Sequence, residues 1–369
     1  MLDSNHQRAA VIPKRAGAAV LGGGPAGAAA ALGLARAGHS VVLLERAATP
    51  AWKIGETLPP EARVHLQSLG CWEQFRSAGH LPCHGIVSCW GSDEPAETDH
   101  LMNPYGHGWQ LDRVRFEADL LEAAREAGAE VFLGADASPR HLGPDGGWRL
   151  ETPDGPVHAD WLLDCTGREG ALARKGLGGR FRRLQDHVSV FCLLEARDET
   201  DRDGRTYVEA YPDGWAYSAL MPTGRRIVAF LTDRDLIDSE DKLTTALLRR
   251  LETGPRISGL LKRHGYAPAG EARLVPAASG RFAQLCGPDW ILVGDAAMTF
   301  DPLSGWGSTK ALVSAAAAVD TVLDGASYQS QSDELWDHYL RSWRDYYLAE
   351  RRWPSEPFWK RRHETIELQ

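Results

Sequence analysis

The feature that most constrains the fold of this chain is a glycine-rich turn near its start. Residues 18–21 form a short apolar run, as a buried parallel strand does. Gly22, Gly24 and Gly27 follow in a G-x-G-x-x-G pattern. The first glycine of this pattern allows a tight turn, the second lets a pyrophosphate approach the backbone, and the third lets strand and helix pack closely. The pattern therefore predicts a strand, a phosphate-binding turn and a helix in that order.

The residues after the turn extend this prediction. Residues 28–37 predict the helix, because many of them are small and Gly38 suits its C-terminus. A second apolar strand over residues 41–44 ends in Glu45, 18 residues after Gly27, where an acidic side chain binds an adenosine ribose. The alternative is a glycine-rich turn that binds no ligand.

A second motif lies about 270 residues further along the chain. Residues 290–293 predict a buried strand, Gly294 permits a sharp turn, and Asp295 is well placed to bind the ribityl hydroxyls of a flavin. The loop over residues 302–307 contains two glycines ahead of an alanine-rich helix, residues 308–319. Alone, this motif is equally typical of an ordinary strand-loop-helix connection. Together, the two motifs indicate that both ends of the chain close around FAD.

A third element lies between them. Residues 161–168 predict a strand that ends in a small-residue turn with Asp164 and Gly167. Ahead of it, residues 147–152 and 157–160 flank a Pro-Asp-Gly turn, which predicts a hairpin. In a dinucleotide fold, the end of this strand would also face the cofactor.

The three motifs resemble those of the group A flavoprotein monooxygenases and their relatives, the flavin-dependent tryptophan halogenases, over most of the chain. The runs GGGPAG, DCTGREG and GDAAMTFDPLSGWG stand where that family places its FAD contacts, and Arg113 resembles its FAD-contacting arginine at a helix start. The motifs and the resemblance together predict FAD contacts at Gly22, Gly24, Pro25, Ala26, Gly27, Glu45, Arg46, Arg113, Asp164, Gly167, Gly294, Asp295, Pro302, Gly305 and Gly307.

Three further segments resemble a narrower subgroup, the flavoproteins that mature tryptophylquinone cofactors in amine dehydrogenases and amino-acid oxidases. They are the G-E-T-L-P-P loop at residues 55–60, the run at 214–222, and the tail at 350–359. The fold implied is α/β, with a Rossmann-like FAD-binding domain of glutathione-reductase type interleaved with an antiparallel β-sheet substrate domain, followed by C-terminal helices. The FAD-binding domain is predicted at residues 14–50, 105–175 and 285–325, the substrate domain at 51–104 and 176–284, and the helical tail at 330–369.

The sequence also departs from the family. Met298 stands where many group A enzymes carry histidine, and Trp306 stands where they carry glutamine. The halogenases use a lysine in the segment after the G-E loop to handle hypohalous acid, but this chain has no lysine between Gly55 and Arg113. That absence favours hydroxylation over halogenation.

The resemblance implies that reduced FAD traps O2 as a flavin hydroperoxide, which hydroxylates an electron-rich aromatic carbon. The candidate catalytic residues are Glu56, Lys53, Trp306 and Tyr217. Glu56 is either a base with a raised pKa or a carboxylate that caps its loop. Tyr217 lines an aromatic pocket or packs in the core, and Trp306 is expected near the flavin.

The substrate and the electron source stay open at this level. The subgroup implies a tryptophan side chain of a partner protein or peptide, oxygenated toward a tryptophylquinone, whereas a free aromatic molecule is the alternative. Electrons come either from NAD(P)H or from external reduced flavin supplied by a flavin reductase, since only one clear G-x-G-x-x-G occurs. Halogenation, reduction of isoprenoid double bonds, and a non-catalytic flavoprotein chaperone are the competing functions.

Composition excludes several other classes. The chain has 369 residues, 43% hydrophobic and 25% charged, with a net charge of −9, which does not indicate nucleic-acid binding. No apolar run approaches the roughly 20 residues of a membrane span, and the polar leader up to residue 15 does not resemble a secretory signal. The six cysteines show no C-x-x-C spacing, so we expect no metal and a cytoplasmic location with reduced thiols.

Overall fold

The structure, a computed structural model of the chain, describes four stretches, which are residues 12–143, 146–197, 200–237 and 242–367. Residues 1–11 of the predicted polar leader therefore lie outside the described residues. The same is true of three short gaps within the predicted domains, and of the last two residues of the predicted tail.

The described residues contain both strands and α-helices. The strands, in chain order, are β1 (Arg15–Leu21), β2 (Val41–Glu45), β3 (Thr57–Leu58), β4 (Leu81–Cys83), β5 (Gly85–Cys89), β6 (Ala96–Asp99), β7 (Gly108–Gln110), β8 (Glu130–Leu133), β9 (Ser138–His141), β10 (Trp148–Thr152), β11 (Gly155–Asp164), β12 (Phe181–Gln185), β13 (His187–Glu195), β14 (Thr206–Tyr211), β15 (Gly214–Leu220), β16 (Arg226–Asp233), β17 (Ala267–Pro268), β18 (Arg273–Pro276), β19 (Ser279–Phe282), β20 (Trp290–Leu292) and β21 (Met298–Thr299). The helices are α1 (Pro25–Arg36), α2 (Ala62–Ser68), α3 (Trp72–Ser77), α4 (Arg113–Glu126), α5 (Leu243–Glu252), α6 (Pro255–Arg263), α7 (Gly307–Asp324), α8 (Tyr328–Ala349) and α9 (Pro357–Glu367).

A parallel sheet forms the base of the molecule. Its strands follow the order β8-β2-β1-β11, β20 pairs with the end of β11, and the β9-β10 hairpin extends the sheet in antiparallel fashion. The register pairs Leu21 with both Leu44 and Asp164, and Asp164 with Leu292. The turns after β1, β2, β11 and β20 therefore meet at one edge, where doubly wound sheets bind their ligands.

Three helices, α1, α4 and α7, pack together beside this sheet. The small residues of α1 permit this, since residues 28–31 are four buried alanines. At Gly33 a Cβ would lie 2.8 Å from Val319 Cγ2 of α7, so any larger residue would push the two helices apart.

A second, mixed sheet stands over that edge. Its order is β17-β13-β16-β15-β14-β5-β6, with β18 also paired to β13, and all pairs are antiparallel except β14 with β5. Side chains alternate along β15, because successive residues of a strand point to opposite faces. Ala216 packs in a core closed by α5 and α6, whereas Trp215 and Tyr217 face the parallel sheet. The predicted α/β fold with two interleaved sheets is confirmed.

Two small sheets connect these layers. In one, β7 pairs with both β3 and β4, so a strand from the predicted FAD-binding range joins strands from the predicted substrate range. In the other, β19 pairs with β12 and β21. The exact division into two domains therefore stays a prediction.

The C-terminal helices belong to the core. The buried side of α8 carries Trp336, Tyr339, Trp343 and Tyr347, and Trp359 of α9 is fully buried. Among the described residues, no helix combines the length and the apolar character that crossing a bilayer requires.

Candidate active site

A cavity of about 760 Å³ lies between the two large sheets, at the edge where the parallel strands end. It is lined by residues from both ends of the chain. The predicted site residues that line it are Gly22, Gly24, Pro25, Ala26, Glu45, Arg46, Lys53, Glu56, Arg113, Gly167, Tyr217, Asp295, Pro302, Gly305, Trp306 and Gly307. Three others, Gly27, Asp164 and Gly294, do not line it.

The turn after β1 shows why its glycines are needed. Gly22 has a φ of 99°, and a Cβ there would lie 2.5 Å from the Cys165 carbonyl oxygen. At Gly27 a Cβ would lie 1.9 Å from the carbonyl oxygen of Gly22. Gly24 differs, because its Cβ would have no atom within 4 Å. Gly24 also caps α1 without a side-chain hydrogen bond, so the start of this helix faces the cavity with backbone groups alone.

Glu45 is fixed at the end of β2, beside this turn. Its carboxylate accepts hydrogen bonds from the backbone N–H groups of Gly23, at 2.6 Å, and Ala47, at 2.8 Å. The neighbouring Arg46 forms a bidentate ion pair with Glu169 at the protein surface. The position of Glu45 at the cavity wall is the one expected for a ribose-binding acid.

Asp164 supports the cavity from behind. Its buried carboxylate accepts hydrogen bonds from the N–H and hydroxyl groups of Thr166 and from the N–H of Leu172. These bonds shape the turn that carries Gly167 to the cavity. Asp164 thus contacts the turn and does not reach the cavity, because backbone donors occupy its carboxylate.

Asp295 follows β20 and lines the cavity next to two cationic side chains. It forms an ion pair with the fully buried Lys310, and Arg168 Nε lies 3.5 Å from its Oδ2 atom. Burial acts to raise the pKa of Asp295, but the charges of Lys310 and Arg168 outweigh burial and hold the pKa below its ordinary value. Asp295 is therefore an ionised hydrogen-bond acceptor at neutral pH.

Arg113 begins α4 and ties the loop after β2 to the cavity. Its guanidinium donates to the carbonyl oxygens of Gly55, at 2.8 Å, and Ile54, at 3.3 Å, and forms an ion pair with Glu117. Glu117 also pairs with Lys53 at 2.9 Å. The ammonium of Lys53, a predicted catalytic group, is thus engaged in holding this loop.

Glu56 and Tyr217 both line the cavity and are close enough for each side chain to affect the pKa of the other. Burial raises the pKa of Glu56, while backbone hydrogen bonds and the Arg113 charge oppose the shift. Burial also raises the pKa of Tyr217, and the neighbouring Glu56 carboxyl adds to that shift. The Oε1 atom of Glu56 makes no hydrogen bond within the part of the chain described. A buried acceptor without a partner is costly, so this atom marks a place for a ligand.

Trp306 caps the start of α7 and lies at the end of a loop held by Asp301. The buried Asp301 carboxylate accepts hydrogen bonds from Gln185 and from the Tyr347 hydroxyl of α8. His187 Nδ1 lies 3.6 Å from Asp301. Burial lowers the pKa of His187 well below its ordinary value, and Arg362 of α9 adds to this. The C-terminal helices therefore help to hold the loop of Trp306.

The shape and chemistry of the cavity fit FAD. Cβ atoms at Gly24, Gly305 and Gly307 would project into open space, so backbone is exposed at both ends of the cavity. Two carboxylates that can accept ribose or ribityl hydroxyls, Glu45 and Asp295, also line the cavity. Among the described residues, no group of three or more histidine, cysteine, aspartate or glutamate side chains is arranged to hold a metal ion.

Sequence reasoning missed three residues near the site. Glu117 stands four residues after Arg113, a spacing that pairs side chains on a helix and could have been recognised. Lys310 is a charged residue in an alanine-rich helix, which is an unusual position for it. His187 carried no local signal, because its partners come from distant segments.

Comparison with known proteins agrees with this geometry. A family profile described as "FAD binding domain" matches residues 15–342. The flavin-dependent halogenase armH3 of Armillaria mellea is 28% identical over 347 residues, covering 85% of this chain and 68% of that protein. The putative FAD-dependent oxidoreductase LodB of Marinomonas mediterranea is 30% identical over 372 residues, covering 95% of this chain and 98% of LodB.

Solved structures with this fold include two that cover most of the chain. The myxobacterial chondrochloren halogenase CndH matches with a TM-score of 0.81 at 27% identity, covering 95% of this chain and 86% of that one. The peptidyl tryptophan dihydroxylase QhpG, described as essential for tryptophylquinone cofactor biogenesis, matches with a TM-score of 0.74 at 26% identity. That match covers 95% of this chain and 79% of QhpG.

Proposed function

Because the chain belongs to the FAD binding domain family, within the superfamily of flavoprotein monooxygenases and flavin-dependent halogenases, we propose that it is an FAD-dependent monooxygenase that hydroxylates the indole ring of tryptophan. The substrate is a tryptophan side chain of a partner polypeptide, modified during the making of a tryptophylquinone cofactor. Bound FAD, once reduced, supplies the activation of O2.

In this proposal the chain itself holds and orients the cofactor. The turn at Gly22 to Gly27 and the start of α1 bind the pyrophosphate, and Glu45 accepts the ribose hydroxyls. Asp295 accepts ribityl hydroxyls, and the backbone around Gly305 and Gly307 faces the ring. The strands β13, β14 and β15 cover the cavity and exclude water, as reactive oxygen chemistry requires.

The observation that carries the proposed reaction is the Glu56–Tyr217 pair. Glu56 Oε1 is a buried acceptor without a partner, so it can accept the N–H of an indole or the proton that a hydroxylated ring carbon loses. Its raised pKa makes it a stronger base than an exposed carboxylate. Tyr217 stays a neutral phenol because its pKa is raised, so it can donate a hydrogen bond to the substrate or to Glu56.

The lysines of the site favour hydroxylation over halogenation. Between Gly55 and Arg113, a segment that the structure describes throughout, there is no lysine. Lys53 is the one lysine among the described residues that line the cavity, and Glu117 holds its ammonium at 2.9 Å. No free ammonium of this kind is therefore available to handle hypohalous acid.

Two observations support a polypeptide substrate. The match to QhpG covers 95% of this chain, and QhpG is described as a peptidyl tryptophan dihydroxylase. In addition, His100 lines the cavity, and the two residues after it, Leu101 and Met102, are apolar and 84% and 88% exposed. Exposed apolar side chains beside a cavity suit contact with another chain.

The electron source and the compartment are part of the proposal. Reducing equivalents reach FAD from NAD(P)H or from reduced flavin made by a separate flavin reductase. The six cysteines are all free thiols, five of them buried, which suits the reducing cytoplasm.

The test is a product analysis with three substrates and two halides. The FAD-loaded protein is reduced without oxygen, then mixed with O2 and a tryptophan-bearing peptide, free tryptophan, or a simple phenol, with chloride or bromide present. We expect the peptide alone to gain oxygen atoms, detected by mass spectrometry, and the label of heavy-isotope O2 to appear in the product.

The second candidate is halogenation of an aromatic group, which the similarity to armH3 and CndH favours. It predicts a halogenated product that depends on chloride or bromide. A halogenated product, or oxygen incorporation into the phenol but not the peptide, would replace the proposed reaction.

A further inference from the structure

Lys310 is a fully buried lysine in the first turn of α7. Its ammonium donates to the Asp295 carboxylate and to the Met298 carbonyl oxygen, and it lies 5.0 Å from the centre of the Phe300 ring. A charge without access to water is costly unless it is paired. A leucine or methionine would fill this place in an alanine-rich helix more simply, so packing alone does not explain the lysine.

The partner of Lys310 reaches the cavity, while Lys310 itself does not. Asp295 lines the wall where FAD is expected, and Lys310 contacts it from the opposite, dry side. The two remaining cationic groups that act on Asp295 come from other elements: Arg168 from the turn after β11, and Arg113 from α4. Arg168 is also occupied, since it donates to the Ala278 carbonyl oxygen at 2.7 Å.

We propose that Lys310 is a positioning residue for FAD, which acts through Asp295 by fixing the direction of its carboxylate and balancing its charge. This inference rests on the proposed binding of FAD in the cavity. A fixed carboxylate presents Oδ2, the oxygen that Lys310 does not bind, to the ribityl hydroxyls. A balanced carboxylate adds no net negative charge beside a flavin that becomes negative when it is reduced.

The proposal has a consequence for the pH dependence of binding. In the native protein, the charges of Lys310 and Arg168 keep the pKa of Asp295 below its ordinary value despite burial. Without Lys310 the largest charge that opposes the effect of burial is lost, so the pKa of Asp295 rises. A protonated Asp295 accepts hydroxyl hydrogen bonds poorly, so FAD affinity then falls as the pH is lowered through the raised pKa.

The experiment compares Lys310→Met, Lys310→Arg, Asp295→Asn and the double variant, with the exposed Lys262→Met on α6 as control. The dissociation constant of FAD is measured between pH 5 and 9 as flavin fluorescence is quenched, and the midpoint potential of bound FAD is measured by dye equilibration. Thermal unfolding of each protein without FAD reports stability separately.

We expect Lys310→Met to weaken FAD binding at least tenfold at low pH and much less at high pH, with no such slope in the wild type or in Lys262→Met. Its midpoint potential falls by about 30 mV, the equivalent of a tenfold weaker preference for reduced flavin. Lys310→Arg restores most of both properties. The double variant binds FAD as Asp295→Asn does, because Lys310 acts only through Asp295.

Other outcomes overturn the inference. FAD affinity and potential in Lys310→Met that match the wild type at every pH would show that Lys310 has no role toward FAD. If Lys310→Met does not fold, the double variant is compared with Asp295→Asn alone, and a double variant that binds FAD more weakly than Asp295→Asn would exclude action through Asp295. A wild-type protein that binds no FAD would instead contradict the proposed function itself.

Discussion

Gly24 and Gly27 stand three residues apart in the same turn, but a methyl group meets different surroundings at each. A Cβ at Gly24 has no atom within 4 Å, whereas a Cβ at Gly27 would collide with the Gly22 carbonyl oxygen. We expect Gly24→Val to change the stability of the FAD-free protein by about 1 kcal/mol or less and to weaken FAD binding at least tenfold. Gly27→Ala should cost about 1–3 kcal/mol or more in stability.

The measurement is urea unfolding without FAD, paired with FAD titration of each variant. Equal loss of stability in both variants would contradict this division of roles between the two glycines.

Glu56 gives a prediction about pH. A base must be ionised to work, so turnover should fall as the pH is lowered through the raised pKa of Glu56. Glu56→Gln should reduce turnover about 100-fold or more. The fall of turnover at low pH should then disappear. Stability follows the opposite sign: a carboxyl with a raised pKa in the folded state favours folding when protonated. The wild type should therefore lose stability relative to Glu56→Gln as the pH rises through that pKa.

Rates of indole-peptide oxygenation against pH, with Tyr217→Phe as the matched variant, check this prediction. Tyr217→Phe should lower the rate at every pH but still show the fall of turnover at low pH. If turnover of Glu56→Gln still falls at low pH, Glu56 is not the base.

At this scale the sequence predicted the backbone positions better than the side-chain partners. The need for glycine at positions 22 and 24 depends on the local backbone, so the neighbouring residues were enough to predict it. Asp164 was predicted to contact the cofactor, which stays a prediction, and its hydrogen bonds to Thr166 and Leu172 could not be predicted from the sequence. Lys310 was missed, since whether a side chain turns to the cavity or away depends on segments far apart in the chain.

At the scale of elements, helix α9 offers a comparison between neighbours. Arg362 is 3% exposed and pairs with Asp233 through two bonds of 2.5 and 2.9 Å. Arg361 is 46% exposed and pairs with Asp233 and Asp235. We expect Arg362→Met to cost about 3–5 kcal/mol of folding free energy, because it leaves buried charge behind, and Arg361→Met at most about 1 kcal/mol.

Urea unfolding of both variants, at low and high salt, provides the check. The small Arg361→Met effect should shrink with salt, whereas the Arg362→Met effect should not. Similar costs for the two would mean that α9 is held by packing of Phe358 and Trp359, not by the ion pair.

Elements were predictable where a repeating pattern ran long enough. The strand predicted at residues 290–293 forms at Trp290–Leu292, and the long helix α8 lies almost entirely within the predicted helical tail. Helix α1 was predicted to begin at residue 28 but begins at Pro25, because proline suits the first turn of a helix. The strands β3, β4 and β7 have two or three residues each, too few for any pattern to appear.

At the scale of the whole molecule, FAD should act as a stabilising core. The cavity is lined by both large sheets and by the loops after β2 and β20. A ligand that binds only the folded state at a free concentration of 100 times its dissociation constant adds about 2.7 kcal/mol. We therefore expect FAD to raise the melting temperature of the wild type and, at the same concentration, to raise that of Gly24→Val by about half as much or less.

Thermal unfolding monitored by both tryptophan fluorescence and circular dichroism tests this prediction. An equal rise in melting temperature for Gly24→Val would place FAD somewhere other than the turn after β1.

The interleaving of the two sheets could be predicted from the resemblance to the flavoprotein monooxygenases, whose FAD-binding motifs stand in three separate parts of the chain. The residues at which the chain crosses from one sheet to the other could not be predicted. β7 belongs in sequence to the FAD-binding range, but its hydrogen bonds join it to β3 and β4. These pairings join residues that are far apart in the sequence, so no local sequence pattern predicts them.

The cavity is walled by the turn after β1 and by the start of α7, which stand near opposite ends of the chain. A ribosome makes the chain from its N-terminus at about 5–20 residues per second, so the first wall emerges many seconds before Trp306 does. During that interval no complete cleft exists, and a nascent chain has nowhere to hold FAD. FAD can therefore fill the cavity only after the segment around Trp306 has been synthesised.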